Sequence, residues 1–333
     1  MANSIPIISH YTSADAIINI LKNKTLWLTR LQFMNDPIEL KFVDEAILSC
    51  LRVILHEKEE AKLLTNHQCH QIYKTIHDFL LKSHLDESYW PSNYDYYFIL
   101  SFSSADESLA MWQRYTSCGG YIIQFDREKL LEQIKTSIKQ ESHASLVKIY
   151  SHAVQYCGSE TDIIKKIKKV VDDLCKSIYE LCYTPKAVIE ANETCFLKML
   201  CDSYHPIDER ETINYQNPIE QNFIDLLRKL FSFRTRYKHT TFSDEKEYRI
   251  VIRIDSTAIR QNVINFRSRN GLVIPYIEID LPDIYKAIVG IGINPLFKIN
   301  KAKQGIRLLL NEHRDEEEII PPVWTSSLLF DNT

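Results

Sequence analysis

From residue 127 to residue 236 the chain carries helix-period patterning, whereas short strand-like islands crowd the stretches on either side. A sheet assembled from those islands must be discontinuous in sequence, interrupted by one long helical excursion. The islands lie at residues 5–11, 26–30, 96–103, 120–125, 247–254, 273–279 and 286–291. Helical periodicity fills 41–84, where Val43, Ile47, Leu48, Leu51 and Leu55 form one stripe, and again 127–182 and 186–236. The pattern predicts an α+β core over residues 1–139 and 237–320, a mainly helical insertion over 140–236, and a tail over 321–333 that leaves at Pro321-Pro322.

Composition narrows the function classes. The 333 residues carry a formal net charge of −4, against the basic balance of a dedicated nucleic-acid binder. The seven glycines form neither Gly-x-Gly-x-x-Gly nor a Walker loop, which argues against a Rossmann dinucleotide site and a P-loop. Gly290-Ile-Gly292 is expected to mark a tight turn after a strand. Eight cysteines are scattered without a Cys-x-x-Cys pair, and no apolar run approaches the ~18 residues of a membrane span. A cytoplasmic chain without membrane contact is expected, with export into a host cell through an uncleaved signal left open. No metal is expected, because His67, Cys69 and His70 lack zinc-site spacing and a second ligand pair.

Chemistry-bearing residues cluster at the islands. Glu245-Lys246-Glu247 precedes the alternating Tyr248-Arg-Ile-Val-Ile-Arg-Ile254, and side chains two apart on a strand share a face. The expectation is a paired-carboxylate platform; the competing reading is solvated charge at a strand edge. At the N-terminus, Ile7-Ile-Ser-His10-Tyr11-Thr12-Ser13 reads as a strand that ends in polar side chains, with Ser13 as cap of a helix carrying Ile17, Ile20 and Leu21. Leu26-Trp-Leu-Thr-Arg30 follows as a second strand. In Tyr96-Tyr-Phe-Ile-Leu-Ser101-Phe-Ser103 the two serines take one face, with Phe98, Leu100 and Phe102 on the other. Trp112 and Tyr115 follow at helical spacing, as core or as pocket wall. Asn35-Asp36-Pro37 with Glu39 reads as a polar turn capping a helix, or as an oxygen-rich binding turn. Arg234, Arg236 and Lys238 interleave with aromatics just before the carboxylate pair, as a target-recognition loop or as the cationic end of a helix.

The order strand, His-x-Thr, helix and Leu-led strand resembles the opening of ADP-ribosyltransferase folds such as the poly(ADP-ribose) polymerases and the RNA 2′-phosphotransferases. The Ser101–Ser103 strand and Glu245-x-Glu247 resemble elements of the arginine-specific and toxin-type members, with Phe102 in place of a central Thr. The motif set His-Tyr-Thr-Ser, Phe-x-Asn-Asp-Pro-x-Glu, Ser-Phe-Ser with Met-Trp-x-x-Tyr, and Glu-x-Glu-Tyr-Arg also looks like a large, poorly characterised bacterial domain family, over about residues 7 to 292. The resemblance implies a split mixed β-sheet with large helical insertions, and NAD as substrate with no metal. His10, Tyr11, Thr12 and Arg30 would bind NAD, with the choice between His10 and Arg30 as main anchor open. Ser101, Ser103, Trp112 and Tyr115 would shape the nicotinamide pocket. Glu247 would stabilise the transition state while Glu245 activates the acceptor. The expected function is mono-ADP-ribosylation of a macromolecule, a protein arginine, as a bacterial effector or toxin. ADP-ribosylation of nucleic acid in phage defence, and a non-catalytic binding or signalling module, are the alternatives.

Overall fold

The computed structural model describes residues 6–34, 37–85, 96–116, 119–140, 144–183, 218–255, 263–269, 271–295, 299–315 and 318–328. β1 (Ile7–Thr12), α1 (Ala14–Asn23) and β2 (Thr25–Arg30) open the chain, followed by α2 (Pro37–Glu60) and α3 (Asn66–Leu85). Next come β3 (Tyr96–Ser103), α4 (Leu109–Thr116), β4 (Tyr121–Asp126), α5 (Arg127–Gln140), β5 (Val147–Ala153), β6 (Gln155–Cys157) and α6 (Glu160–Tyr183). The last part holds α7 (Pro218–Arg234), β7 (Tyr237–His239), a 3₁₀ turn (Thr240–Glu245), β8 (Glu247–Ile254), β9 (Asn265–Arg269) and β10 (Leu272–Asp280). It closes with α8 (Ile284–Ala287), β11 (Ile288–Ile293), α9 (Ile299–His313) and β12 (Val323–Thr325).

The fold is α+β around a mixed ten-stranded sheet in which β12, β11, β4, β1, β3, β2, β10 and β9 form one row, with β8 and then β5 joined at β3. β11 and β12 run parallel, while the other neighbours are antiparallel. β3 has three partners. β8 occupies the whole of one edge, from Tyr96 opposite Ile254 to Ser103 opposite Glu247. The other edge is divided: Phe98 and Ile99 meet β2, and Ser103 alone meets β1 at Ser9. Between those contacts β1 and β2 diverge, and the sheet splits beside Leu100, Ser101 and Phe102.

Each face buries an apolar layer, as alternation along a strand requires. On one face Phe98, Leu100, Phe102, Ile250 and Ile252 pack with Ile17 and Leu21 of α1, Leu130 and Ile134 of α5, and Ile306 and Leu310 of α9. Ser13 caps α1 as expected, accepting from the Ala16 amide at 3.3 Å. On the other face Ile99 and Val251 meet Leu40 of α2 and Phe231 of α7. Beyond them α2, α3, α6 and α7 share a separate core of Val43, Ile47, Leu51, Ile72, Ile167, Leu174 and Leu230.

All seven expected islands are strands, with ends shifted by a few residues. Three expectations are corrected. Residues 147–157, read as helical, form β5 and β6, and β5 extends the main sheet along β8 from Val147 opposite Ile254 to Ala153 opposite Tyr248. Its sequence Val-Lys-Ile-Tyr-Ser-His-Ala is half exposed along its length, so it carries little of the apolar signal that marks a strand. Residues 323–325, read as tail, form β12. Gly290 and Gly292 lie within β11 and mark no turn. A Cβ on Gly292 would come within 2.5 Å of the Trp324 ring, so glycine is what admits β12.

Candidate functional site

Glu245 and Glu247 converge, by a route other than a shared strand face. Glu245 ends the 3₁₀ turn, Lys246 takes a left-handed conformation at φ 41°, and Glu247 opens β8. The Lys246 carbonyl accepts from both the amide and the hydroxyl of Ser104, at 2.8 and 2.7 Å, and the Ser103 hydroxyl donates to the Glu245 carbonyl at 2.7 Å. These bonds from the end of β3 hold a strained turn in place. The carboxylates are 3% and 5% exposed, which overturns the reading of the pair as solvated charge.

Cations surround both. Lys238 Nζ from β7 bridges them, at 2.8 Å from Glu245 Oε2 and 3.4 Å from Glu247 Oε2. Arg249, two residues along β8, grips Glu247 in a bidentate fork, Nε to Oε1 at 2.8 Å and Nη2 to Oε2 at 2.9 Å. Arg114 and Tyr115 of α4 donate to Glu245 Oε1 at 3.0 and 3.2 Å. The Glu247 amide donates to the Tyr156 hydroxyl at 2.8 Å. Phe242 roofs the cluster, its ring centre 4.6 Å from Lys238 Nζ. Burial alone would raise the Glu247 carboxyl, but Arg249, then Lys238 and Ser101, outweigh it and bring the group down to about 2. Ser101 acts there across more than hydrogen-bond distance, since its buried Oγ has no partner within reach. Burial, with Glu245 beside it, pushes the Tyr115 phenol far up.

The N-terminal residues occupy the split. His10 Nδ1 lies 3.1 Å from the Ser101 carbonyl, so the imidazole closes the gap where β1 and β2 leave β3. Burial lowers its pKa; the carbonyl bond opposes this and the charge of Arg267 adds to it, which keeps the ring neutral near pH 7. The Tyr11 hydroxyl accepts from the Ser108 amide at 2.9 Å, and its ring meets Trp112 edge-on at 5.3 Å. Thr12 ends β1, buried opposite Tyr121. Arg30 is buried with its guanidinium over the Tyr96 ring, 4.6 Å from the centre.

One expected role needs correction. Arg234 and Lys238 do not form an exposed recognition loop. Arg234 is 1% exposed and bidentate to Asp44 of α2, at 2.7 and 2.8 Å, and Lys238 is buried between the carboxylates. Only Arg236 of the three reaches solvent. Of the two readings of Trp112, its burial matches core: it is fully buried with Tyr11, Met111 and Ile122, and its indole N–H donates to Glu107 at 2.8 Å. Asn35, Asp36 and the side chain of Glu39 lie outside the described residues.

Sequence reasoning missed Arg114, Arg249, Trp27, Tyr276 and Arg267. Arg249 had a signal, as the one charge two residues after Glu247 on a strand; Trp27 and Tyr276 come together only through the β2–β10 pairing, at Thr29 opposite Tyr276 and Trp27 opposite Glu278. Among the described residues no His, Cys, Asp and Glu group is arranged to hold a metal ion, and no helix is long and apolar enough to cross a membrane.

A family model described as a protein of unknown function, DUF2971, matches residues 111–250, from α4 to the middle of β8. That stretch contains Arg114, Tyr115, Lys238, Glu245, Glu247 and Arg249, so the matched segment supplies the whole charged cluster. Neither the curated proteins nor the solved structures contain a match to this chain.

Proposed function

We propose that the chain is an NAD-dependent mono-ADP-ribosyltransferase acting on a macromolecule, a protein arginine. The observation that carries the reading is the split of the sheet beside Ser101, with His10 on one lip and Glu247 on the adjoining strand opposite Ser103. Such a split is where the transferase folds that the sequence resembles seat NAD. An ionised carboxylate is what the reaction needs, because positive charge builds on the ribose as nicotinamide leaves, and Glu247 stays ionised down to about pH 2. The bond from ribose C1′ to the nicotinamide nitrogen breaks, and nicotinamide departs with the electron pair. A guanidinium nitrogen of the acceptor bonds to C1′ and releases its proton to Glu245. A neutral His10 is suited to hydrogen-bond a ribose hydroxyl.

A second reading has its own support. Every oxygen of both carboxylates already accepts from Arg114, Tyr115, Lys238 or Arg249. A cluster so saturated serves equally as the polar seam of a non-catalytic binding module, joining sheet to helices. Incubation of the purified chain with adenine-labelled NAD and a lysate separates the two. The transferase releases nicotinamide and labels macromolecules, with nuclease treatment distinguishing nucleic acid from protein; a binding module does neither, and that result ends the first reading. Glu247→Gln is expected to abolish release, read alongside a thermal melt because the change also leaves Arg249 unpaired.

A further inference from the structure

Arg267 on β9 is a guanidinium beside the split whose geometry is fixed and whose charge no carboxylate of the described residues answers. Its Nη2 donates to Thr29 Oγ1 of β2 at 2.8 Å. Its Cζ lies over Trp27 and Tyr276, 5.6 and 5.7 Å from the ring centres, and those two rings lie against each other, centres 4.6 Å apart and tilted by 34°. Three contacts from two neighbouring strands, β2 and β10, thus orient one half-buried cation. Nε is buried without an acceptor, and no carboxylate of the described residues forms an ion pair with Arg267. Glu278 shares this face of the sheet, opposite Trp27, yet makes no such pair. Burial, with repulsion from another cation, Arg269, lowers the Arg267 pKa. A desolvated cation without a counter-ion is unfavourable in the free protein and is relieved when an anion arrives. The rings make the fork rigid beforehand, so little side-chain entropy is lost on binding. Thr29 pairs with Ile99 immediately beside Leu100, where the sheet splits, so the bond to Thr29 sets Arg267 next to the split, and its charge is felt at His10.

We propose that Arg267, aimed by Thr29 and clamped on Trp27 and Tyr276, is the anion anchor of the split and takes a phosphate of a nucleotide ligand. On the transferase reading, on which this part rests, the anion is the diphosphate of NAD, and Arg267 takes the place given above to His10 or Arg30. Arg30 instead stands with its guanidinium against Tyr96. A fork of parallel N–H donors suits phosphate oxygens better than an ammonium would, and the charge-assisted bonds are strong in a partly desolvated site.

Calorimetric titration with ADP, adenosine and pyrophosphate tests the anchor. The native chain is expected to bind ADP more tightly than adenosine, with pyrophosphate competing and affinity falling as salt rises. Arg267→Met should weaken ADP by about tenfold to a hundredfold and leave adenosine unchanged. Thr29→Val removes the hydroxyl that aims Nη2, and is expected to weaken ADP by a smaller factor in a chain whose charge is unaltered. No ADP binding by the native chain, or equal ADP affinity in native and both variants, overturns the proposal. Nicotinamide release by the native chain, measured in parallel, keeps the two readings apart. Release from NAD with ADP affinity indifferent to Arg267 sinks the anchor and spares the transferase, whereas Arg267-dependent ADP binding without release does the reverse.

Discussion

Arg249 and Arg267 both sit on strands of one sheet and both lose much of their hydration, but they lose it in different company. Arg249 is 1% exposed and holds Glu247 by two nitrogens while Nη1 donates to the Thr235 carbonyl at 3.2 Å. Its cluster counts two carboxylates against Arg114, Lys238 and Arg249, and each charge has a partner. Arg267 leans on a hydroxyl and two rings and has no anion among the described residues. The first arrangement is complete without a ligand and ties β8 to β7 and α4. The second is preorganised and incomplete. Stability should therefore depend on Arg249, and ligand affinity on Arg267.

The largest test of that contrast is Arg249→Met. Removing one member of a buried pair strands the other, so the variant should lose roughly 3–5 kcal/mol in urea unfolding. Pairing it with Glu247→Leu removes the stranded charge and is expected to restore much of the loss. If Arg249→Met unfolds at the native urea concentration, the fork contributes nothing to the fold.

Acid probes the same cluster. The Glu247 carboxyl sits near 2 when folded against 4.5 for an ordinary glutamate, a depressed value. Its contribution is thus fully present above about pH 4.5 and is lost as pH falls toward the folded value, for a total on the order of 3 kcal/mol. Unfolding free energy measured between pH 6 and pH 2 should fall along that window in the native chain and more gently in Glu247→Gln. Parallel curves would mean that other carboxylates carry the acid sensitivity.

At Arg267 the expectation reverses. Arg267→Met deletes a repelled, unpaired cation and keeps an apolar stem against Trp27 and Tyr276, so stability should stay within about 0.5 kcal/mol of native. A loss as large as that of Arg249→Met would show that the two regions are alike, and that Arg267 has a partner its surroundings do not reveal.

How far this contrast was legible in the sequence follows from the range of the interactions. Local periodicity was enough for α1, for the serine face of β3 and for the apolar side of β8, because those patterns repeat within a few residues. The carboxylate pair was legible as a pair, but its burial was not. Arg234 read as an exposed basic residue because its anion, Asp44, is set against it by tertiary packing from 190 residues away in the chain, and Lys238 because the 3₁₀ turn that folds Glu245 and Glu247 back onto it has no period to reveal it. Trp27, Thr29, Tyr276 and Arg267 are likewise brought together by pairing of β2 with β10 and of β10 with β9. No spacing rule within one segment could have grouped them. β5 and β12 were missed for a different reason, as short or half-exposed strands have too few apolar positions to reveal a period of two.

The smallest effect is expected at Lys246, the residue that swings Glu245 and Glu247 toward one another. Its left-handed φ of 41° is strained for a residue that carries a Cβ, and the unbranched side chain itself is exposed. Asparagine adopts that region more readily, and the bonds from Ser104 reach the residue 246 carbonyl, which the substitution keeps. Lys246→Asn should therefore raise unfolding free energy by a few tenths of a kcal/mol, about 0.5 at most, without moving either carboxylate. Because Lys246 makes no ion pair with the cluster among the described residues, the acid window of Glu247 should be unchanged in this variant. A shift of that window, or a loss of more than about 1 kcal/mol, would show that the Lys246 side chain is itself part of the charged cluster.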